Sequence, residues 1–471
     1  MQNEVLRRIL ASAAVGLFLA AAGPAFASTD ADKAVQSSFD AGDIDSFAGA
    51  FLAARVADAD KDDKLAISFY RRALEFQPDN TDVKERLMVT LFVQGDFEQG
   101  VELANELKDD PAVDRITAIA RGVDAFRKQS YTSAEKLFAY DGDNDLDRLM
   151  NGLLRGWAQY GAGNFKKAQA TIDGLKGPEW FGIFKSYSSG AMAEAAGRTE
   201  DARADYKSAI TDAVGAATAP DTFMRAVIGL AEMEARLGNK KAALDAVATG
   251  ERFSPGYPPL DAVRQAIEKG KTPGREVRTP AQGAATVLFS IGSALNHQGA
   301  EEVVALYLHF AAALDPNNSA TRVMLGGIAE ALGKPEEAIE IYAGIPESSP
   351  MRRLSDLQRG LDLSQTGKID LAKKQLKKLI EADPNDMRSY LALGSVLSQA
   401  KDYRAMADLY DRAAEKIGAV PRKSDWNIFF QRGIAYERLK EWPKAEPNFK
   451  KALALNPDQP QVLNYLGYSW I

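Results

Sequence analysis

The sequence predicts an all-α superhelical solenoid of helix-turn-helix repeats, on three observations. Small residues, turn glycines and helix-ending prolines each return at a spacing of 34 residues. In the unit Trp426–Gln459, Gly433, Ala445 and Ala452 are small, Tyr436, Trp442 and Phe449 are large, and Pro457 closes the unit. Antiparallel helices approach closely only where side chains are small, so Gly433 on the first helix is expected to face Ala445 on the second. Pro457 lacks an N–H and disfavours helix in the residue before it, so the second helix stops there.

With Trp426 as position 1, position 8 is glycine at 122, 156, 190, 292, 326, 360, 394, 433 and 467, and Ala54, Met88 and Ala231 in the other units. With 37 glycines in 471 residues, about one in twelve slots would be glycine by chance. Position 20 is small in every unit except those of Val304 and Met406. Position 15 is glycine at 95, 163, 197, 238, 299, 333 and 367, and position 32 is proline at 78, 255, 316, 384 and 457. This pattern resembles the tetratricopeptide repeat, whose period is 34 residues. The resemblance covers about residues 47–471, as eleven complete repeats and one truncated one, and it implies that positions 2, 5, 9 and 12 of each first helix line a concave groove where partners bind.

Residues 1–27 read as a cleavable signal peptide. Arg7 and Arg8 precede a roughly fifteen-residue apolar run, and Ala25-Phe26-Ala27 has the small-x-small cleavage pattern. A membrane anchor, the alternative, needs about twenty apolar residues, and Pro24 interrupts this run. After cleavage no transmembrane span is expected. The protein is therefore read as exported and periplasmic, with outer-membrane association open, and as bacterial in style. With no cysteine in the chain, disulfides do not contribute to its stability there.

Residues 28–46 are polar and acidic, a lead-in or capping turn. An N-terminal array follows over 47–268. Residues 269–284 form a Pro/Gly loop in which Lys269, Lys271, Arg275 and Arg278 outnumber Glu276, read either as a solvated loop or as a docking site for an acidic partner. It is expected to divide the repeats into two halves, the second covering 285–471. The last segment supplies only the first helix of a twelfth repeat, with Leu463, Leu466, Gly467 and Trp470 in their slots. Because an array needs a polar closing face, the expectation is that repeats continue beyond Ile471.

Chemistry-bearing motifs are sparse. His297 and His309 are the only histidines, so zinc sites and Ser-His-Asp triads are excluded, and neither an HExxH helix nor a GxxxxGK[ST] loop occurs. The expectation is no catalytic residue, no cofactor and no metal site. Asp141, Asp143, Asp145 and Asp147 alternate as calcium ligands do, but Leu146 and Gly152 stand where such a loop needs glycine and glutamate. A net charge of −7 argues against nucleic acid.

The partners expected are other proteins, cell-envelope components in particular. At groove position 5 the lysines and asparagines that clamp a terminal carboxylate in chaperone adaptors with such repeats are absent. The candidate groove is apolar and aromatic instead: Ile119, Val123 and Phe126, then Leu153, Trp157 and Tyr160, then Phe184 and Tyr187. The competing reading packs these side chains against neighbouring first helices or under residues 28–46. The functional expectation is a non-enzymatic interaction scaffold. The alternative is a targeting module of a larger enzyme, secretion or polysaccharide-related envelope protein whose other domain lies beyond residue 471.

Overall fold

The computed structural model describes residues 41–139, 144–457 and 459–469. The leader, residues 28–40, Asp141, Asp143 and Trp470 lie outside them. The described residues form 25 α-helices and two 3-10 turns, with no strand among them. No described helix is long and apolar enough to cross a membrane.

The helices pair as the 34-residue period requires. The first repeats are α1 (Phe47–Ala59) with α2 (Asp63–Phe76), α3 (Thr81–Gln94) with α4 (Phe97–Glu106), and α5 (Asp114–Arg127) with α6 (Tyr131–Leu137). Next come α7 (Asp145–Gly161) with α8 (Phe165–Asp173), and α9 (Phe181–Ala195) with α10 (Thr199–Thr211). A short α11 (Ala213–Thr218) takes up the inserted residues before α12 (Pro220–Arg236) and α13 (Lys240–Phe253). Single α14 (Pro258–Glu268) precedes the basic loop, and α15 (Pro280–Ala294) pairs with α16 (Glu301–Leu314). The rest are α17 (Ser319–Ala331) with α18 (Pro335–Ala343), α19 (Arg352–Gln365) with α20 (Ile369–Ala382), α21 (Met387–Gln399) with α22 (Tyr403–Ile417), α23 (Trp426–Arg438) with α24 (Trp442–Leu455), and α25 (Pro460–Ser469).

Two packing rules generate each pair. The turn between its helices always places position 15 in the left-handed region, where glycine meets no Cβ penalty. The seven position-15 glycines all have positive φ, and the four positive-φ residues that are not glycine, Lys61, Gln129, Lys401 and Lys440, occupy the same position in the remaining repeats. The second rule concerns position 8. A Cβ on Gly433 would lie 2.6 Å from the Phe449 ring, and one on Gly190 would lie 2.9 Å from the Tyr206 ring. Position 8 is thus the hole for a knob at position 24, so Gly433 receives Phe449 where the spacing had suggested Ala445. In the second repeat the sizes are exchanged, with Met88 at position 8 and Ala104 at position 24, both fully buried.

The lead-in's described end caps the first repeat. Ser46 accepts the Gly49 N–H at 3.2 Å, and Arg72 on α2 donates to the Ile44 carbonyl at 2.9 and 2.8 Å. The described residues fall into two compact units that part between Thr321 and Arg322 rather than at 269–284. The physical reason is that α15 and α16 belong with the first repeats. α15 packs on α7, α9 and α12, and α16 packs on α3 and α5.

Candidate functional site

Repeat geometry leaves one face of each unit lined by first helices, and the two units treat that face differently. In the first unit it is filled by the hairpin α15–α16. Every residue from Gly283 to Gly292 on α15 is buried, as expected of a helix enclosed on all sides. Gly283 lies so close over the Trp157 indole that a Cβ there would overlap the ring. Phe310 on α16 sits edge-on to Phe92 and Phe97, with centroids 4.9 and 5.9 Å apart. Arg115 donates to the Tyr307 hydroxyl at 3.0 Å and pairs with Asp147 at 2.7 Å, while Lys61 pairs with Glu302. Both described aspartates of the acidic run are therefore already paired with arginines, Asp147 with Arg115 and Asp145 with Arg148 at 2.7 Å.

The groove proposed from sequence is accordingly not an open surface. Ile119, Val123, Phe126, Leu153, Trp157, Phe184 and Tyr187 are buried, and Tyr160 is half-buried against Trp157 and Phe165. Trp157 and Tyr187 both face the later segment of the chain, the first under Gly283 and the second donating to Glu276 at 3.3 Å. Phe126 instead serves its own repeat, edge-on to Tyr131 at 5.6 Å and tilted against Phe138 at 5.9 Å. The occupant is a helix pair from later in the chain. Its sequence signal was the absence of any charged residue from Thr279 to Ala300, which leaves α15 no polar face to turn to water.

The basic loop leading to α15 docks on the same face. Arg275 reaches Glu194 at 3.5 Å, and Arg236 donates to Glu194 and to the Pro273 and Gly274 carbonyls. Glu276 pairs with Arg225, whose guanidinium lies 4.1 Å over the Phe289 ring. The acid that this loop finds is thus on its own chain. Glu232 beside these carboxylates is pushed up to about 8 by burial and by Glu276.

In the second unit the strong helix contacts are those between neighbouring helices of the stack, and no described hairpin of that unit is inserted on its first-helix face as α15–α16 is in the first. Leu354 and Leu361 on α19, Leu391 on α21 and Ile434 on α23 are half-buried at groove positions 2, 9, 5 and 9 of successive repeats. Among them, Glu330 at position 12 of α17 accepts the Tyr342 hydroxyl at 2.8 Å and the Gln358 amide at 3.5 Å. Asp362 is buried next to it, one carboxylate oxygen without a hydrogen-bond partner, and is pushed up to about 8 by burial and by Glu330. Burial raises Glu330 as well. The apolar residues expected at groove positions 5, 9 and 12 lie in the third to fifth repeats, and the acids Glu330 and Asp362 were not among them. The available signal was an acid at position 12 with a tyrosine at position 24, which also gives Asp58 with Tyr70 and Glu194 with Tyr206, at 3.3 and 2.9 Å.

Comparison with known proteins finds the tetratricopeptide-repeat family signature over residues 357–421 and again over 426–459. The human protein O-mannosyl-transferase TMTC1 is 24% identical over 143 residues, which span 30% of this chain and 16% of that protein. Among solved structures, yeast Tom70 aligns over 90% of this chain and 94% of its own at 12% identity and a TM-score of 0.31. The Cut9–Hcn1 structure aligns over 87% of each chain at 14% identity and a TM-score of 0.33. MamA from Desulfovibrio magneticus RS-1 aligns over 37% of this chain and 97% of its own at 19% identity and a TM-score of 0.32.

Proposed function

We propose that this chain, whose residues 357–421 and 426–459 match the tetratricopeptide-repeat family, is a protein-interaction scaffold that works without catalysis in a bacterial envelope. There it holds a segment of another protein against the first-helix face of its second unit. The observation that carries this is the contrast between faces. The first unit's apolar face is covered by α15–α16, whereas Leu354, Leu361, Leu391 and Ile434 stay half-buried at groove positions of the second unit, where no helix pair of that unit is inserted in the same way. Apolar groove positions of this kind mark binding surfaces. The envelope location rests on the leader, with Arg7 and Arg8 ahead of the apolar run and Ala25-Phe26-Ala27 at its end.

A photo-cross-linking residue at Leu361 or Leu391 in the native host tests the face. Discrete adducts should form there and not at Lys374, an exposed residue on α20. Equal labelling at Lys374 would overturn the assignment. N-terminal sequencing of the mature protein tests export, with Ser28 expected as the first residue. A second reading, that these repeats are one module of a larger enzyme, takes support from the likeness to a short stretch of TMTC1. It predicts a transferase domain in the same polypeptide.

A further inference from the structure

The two units carry the same polar device on their first-helix faces, and only one of the two is satisfied by a cation. In the first unit, Glu194 at position 12 accepts the Tyr206 hydroxyl from position 24 of its own repeat. Its other oxygen takes Arg236, from position 13 of the following repeat, and Arg275, from the loop that enters the groove ahead of α15. In the second unit Glu330 accepts the Tyr342 hydroxyl in the same way. Position 13 of the following repeat is Gln365, and no lysine or arginine is paired with Glu330 or Asp362 among the described residues. A second carboxyl, Asp362, stands there instead, buried and with one oxygen unpartnered. The half-buried Glu330 and the buried Asp362 hydrogen-bond each other and so share a proton in place of a cation, and a desolvated arginine or lysine can take that proton's place.

We propose that Glu330 and Asp362 are the anchoring point for an arginine or lysine of the partner segment that lies on the second unit's first-helix face. The proposal deepens the scaffold reading above and rests on it. The chemistry of the partner follows from the chain's own example: a cation on a Pro/Gly-containing stretch, followed by an uncharged helical segment suited to the apolar groove positions. Arg275, then Gly283 to Gly292 on α15, is that arrangement in the first unit.

The test uses the full chain and, as a probe, a synthetic peptide of residues 269–282, the stretch that delivers Arg275 to Glu194. Isothermal titration at pH 7 in two buffers of different ionisation enthalpy reads affinity and proton release together. Saturable binding is expected, with about one proton released per peptide because the cation displaces the proton that Asp362 holds. An Arg275→Ala peptide should bind about tenfold or more weakly, and so should the wild-type peptide to Glu330→Gln protein. Asp362→Asn protein, which keeps the shape of the pair, should bind without proton release, and it carries the test if Glu330→Gln fails to fold by circular dichroism. Absence of saturable binding overturns the proposal. So does binding that is indifferent to Glu330→Gln and Asp362→Asn but lost in Glu194→Gln. Discrete adducts at Leu361 alongside either of those results would leave the scaffold reading standing and remove only the anchor. Loss of those adducts would remove both.

Discussion

The first-helix faces of the two units are built from one recipe and end in opposite states. In the first unit, residues 285–318 keep the repeat's Gly292, Gly299 and Pro316, yet their helices lie inside the groove of earlier repeats. In the second unit, helix pairs of the same design stack side by side, and no described hairpin of that unit is inserted on their first-helix face. Position-8 holes, position-24 knobs and position-15 turns fix the geometry within a pair and say nothing about where the pair goes. That choice follows from polarity. α15 and the turn after it carry no charge from Thr279 to Ala300, whereas α19 carries Arg352, Arg353, Asp356, Arg359 and Asp362. A helix with no charged side must be enclosed, and the existing groove encloses it.

The largest test of this contrast is Trp157→Ala. If the hairpin is the core of the first unit, removing a fully buried indole beneath Gly283 should cost about 3–5 kcal/mol there. Hydrogen exchange read by mass spectrometry should show protection falling across residues 47–321 and unchanged across 387–469. Equal loss in both units would mean that they do not unfold separately. Next in size is Gly394→Ala in the second unit, where the new methyl would run into the Tyr410 hydroxyl. Overpacking of this kind costs about 1–3 kcal/mol, and hydrogen exchange should now weaken the second unit and spare the first.

Most of the fold was legible because its constraints are local and repeated. Position 8 and position 15 announce themselves wherever Gly122 to Gly433 and Gly95 to Gly367 recur, and each reflects contacts inside one hairpin. The location of α15–α16 was not legible from periodicity, since it depends on contacts such as Phe310 with Phe92, separated by more than two hundred residues. The candidate site suffered for the same reason. Trp157 and Tyr187 lie against the α15 segment and the loop before it, and residues chosen for being large and apolar are also the residues a buried hairpin needs. Glu330 and Asp362 look in sequence like the many carboxylates of an acidic repeat protein, and only the acid-and-tyrosine spacing of positions 12 and 24 sets Glu330 apart.

A smaller effect separates the faces by pH. Glu232 is held up to about 8 in the folded first unit, against about 4.3 in an unfolded chain. The folded state therefore binds the proton more tightly. Stability from this group is undiminished below the unfolded value, falls as pH rises between the two values, and stays low above 8. Glu232→Gln should thus stabilise the first unit by about 1–2 kcal/mol at pH 8.5, a figure reduced for the water that reaches a half-buried carboxyl, and change little at pH 4. Thermal melts at the two pH values would show it. A gain of the same size at both would mean that the proton is not the cause.

The smallest effect compares two lysines in the same strained conformation. Lys61 in the first unit and Lys401 in the second both hold position 15, with φ of 62° and 55°. A left-handed residue other than glycine carries a penalty of roughly 1 kcal/mol, so Lys401→Gly, which frees an exposed side chain, should raise stability by about 0.5–1 kcal/mol. Lys61 differs because its ammonium pairs with Glu302 on α16, and so it ties the first repeat to the hairpin that fills the groove. Lys61→Gly gains the same backbone relief and loses an exposed pair worth about 0–1 kcal/mol. Its net gain should be smaller than that of Lys401→Gly. In a Glu302→Gln background the pair is already gone, and the two substitutions should become equal. If Lys61→Gly remains the less stabilising of the two there, its difference from Lys401 lies in the backbone and not in the contact with α16.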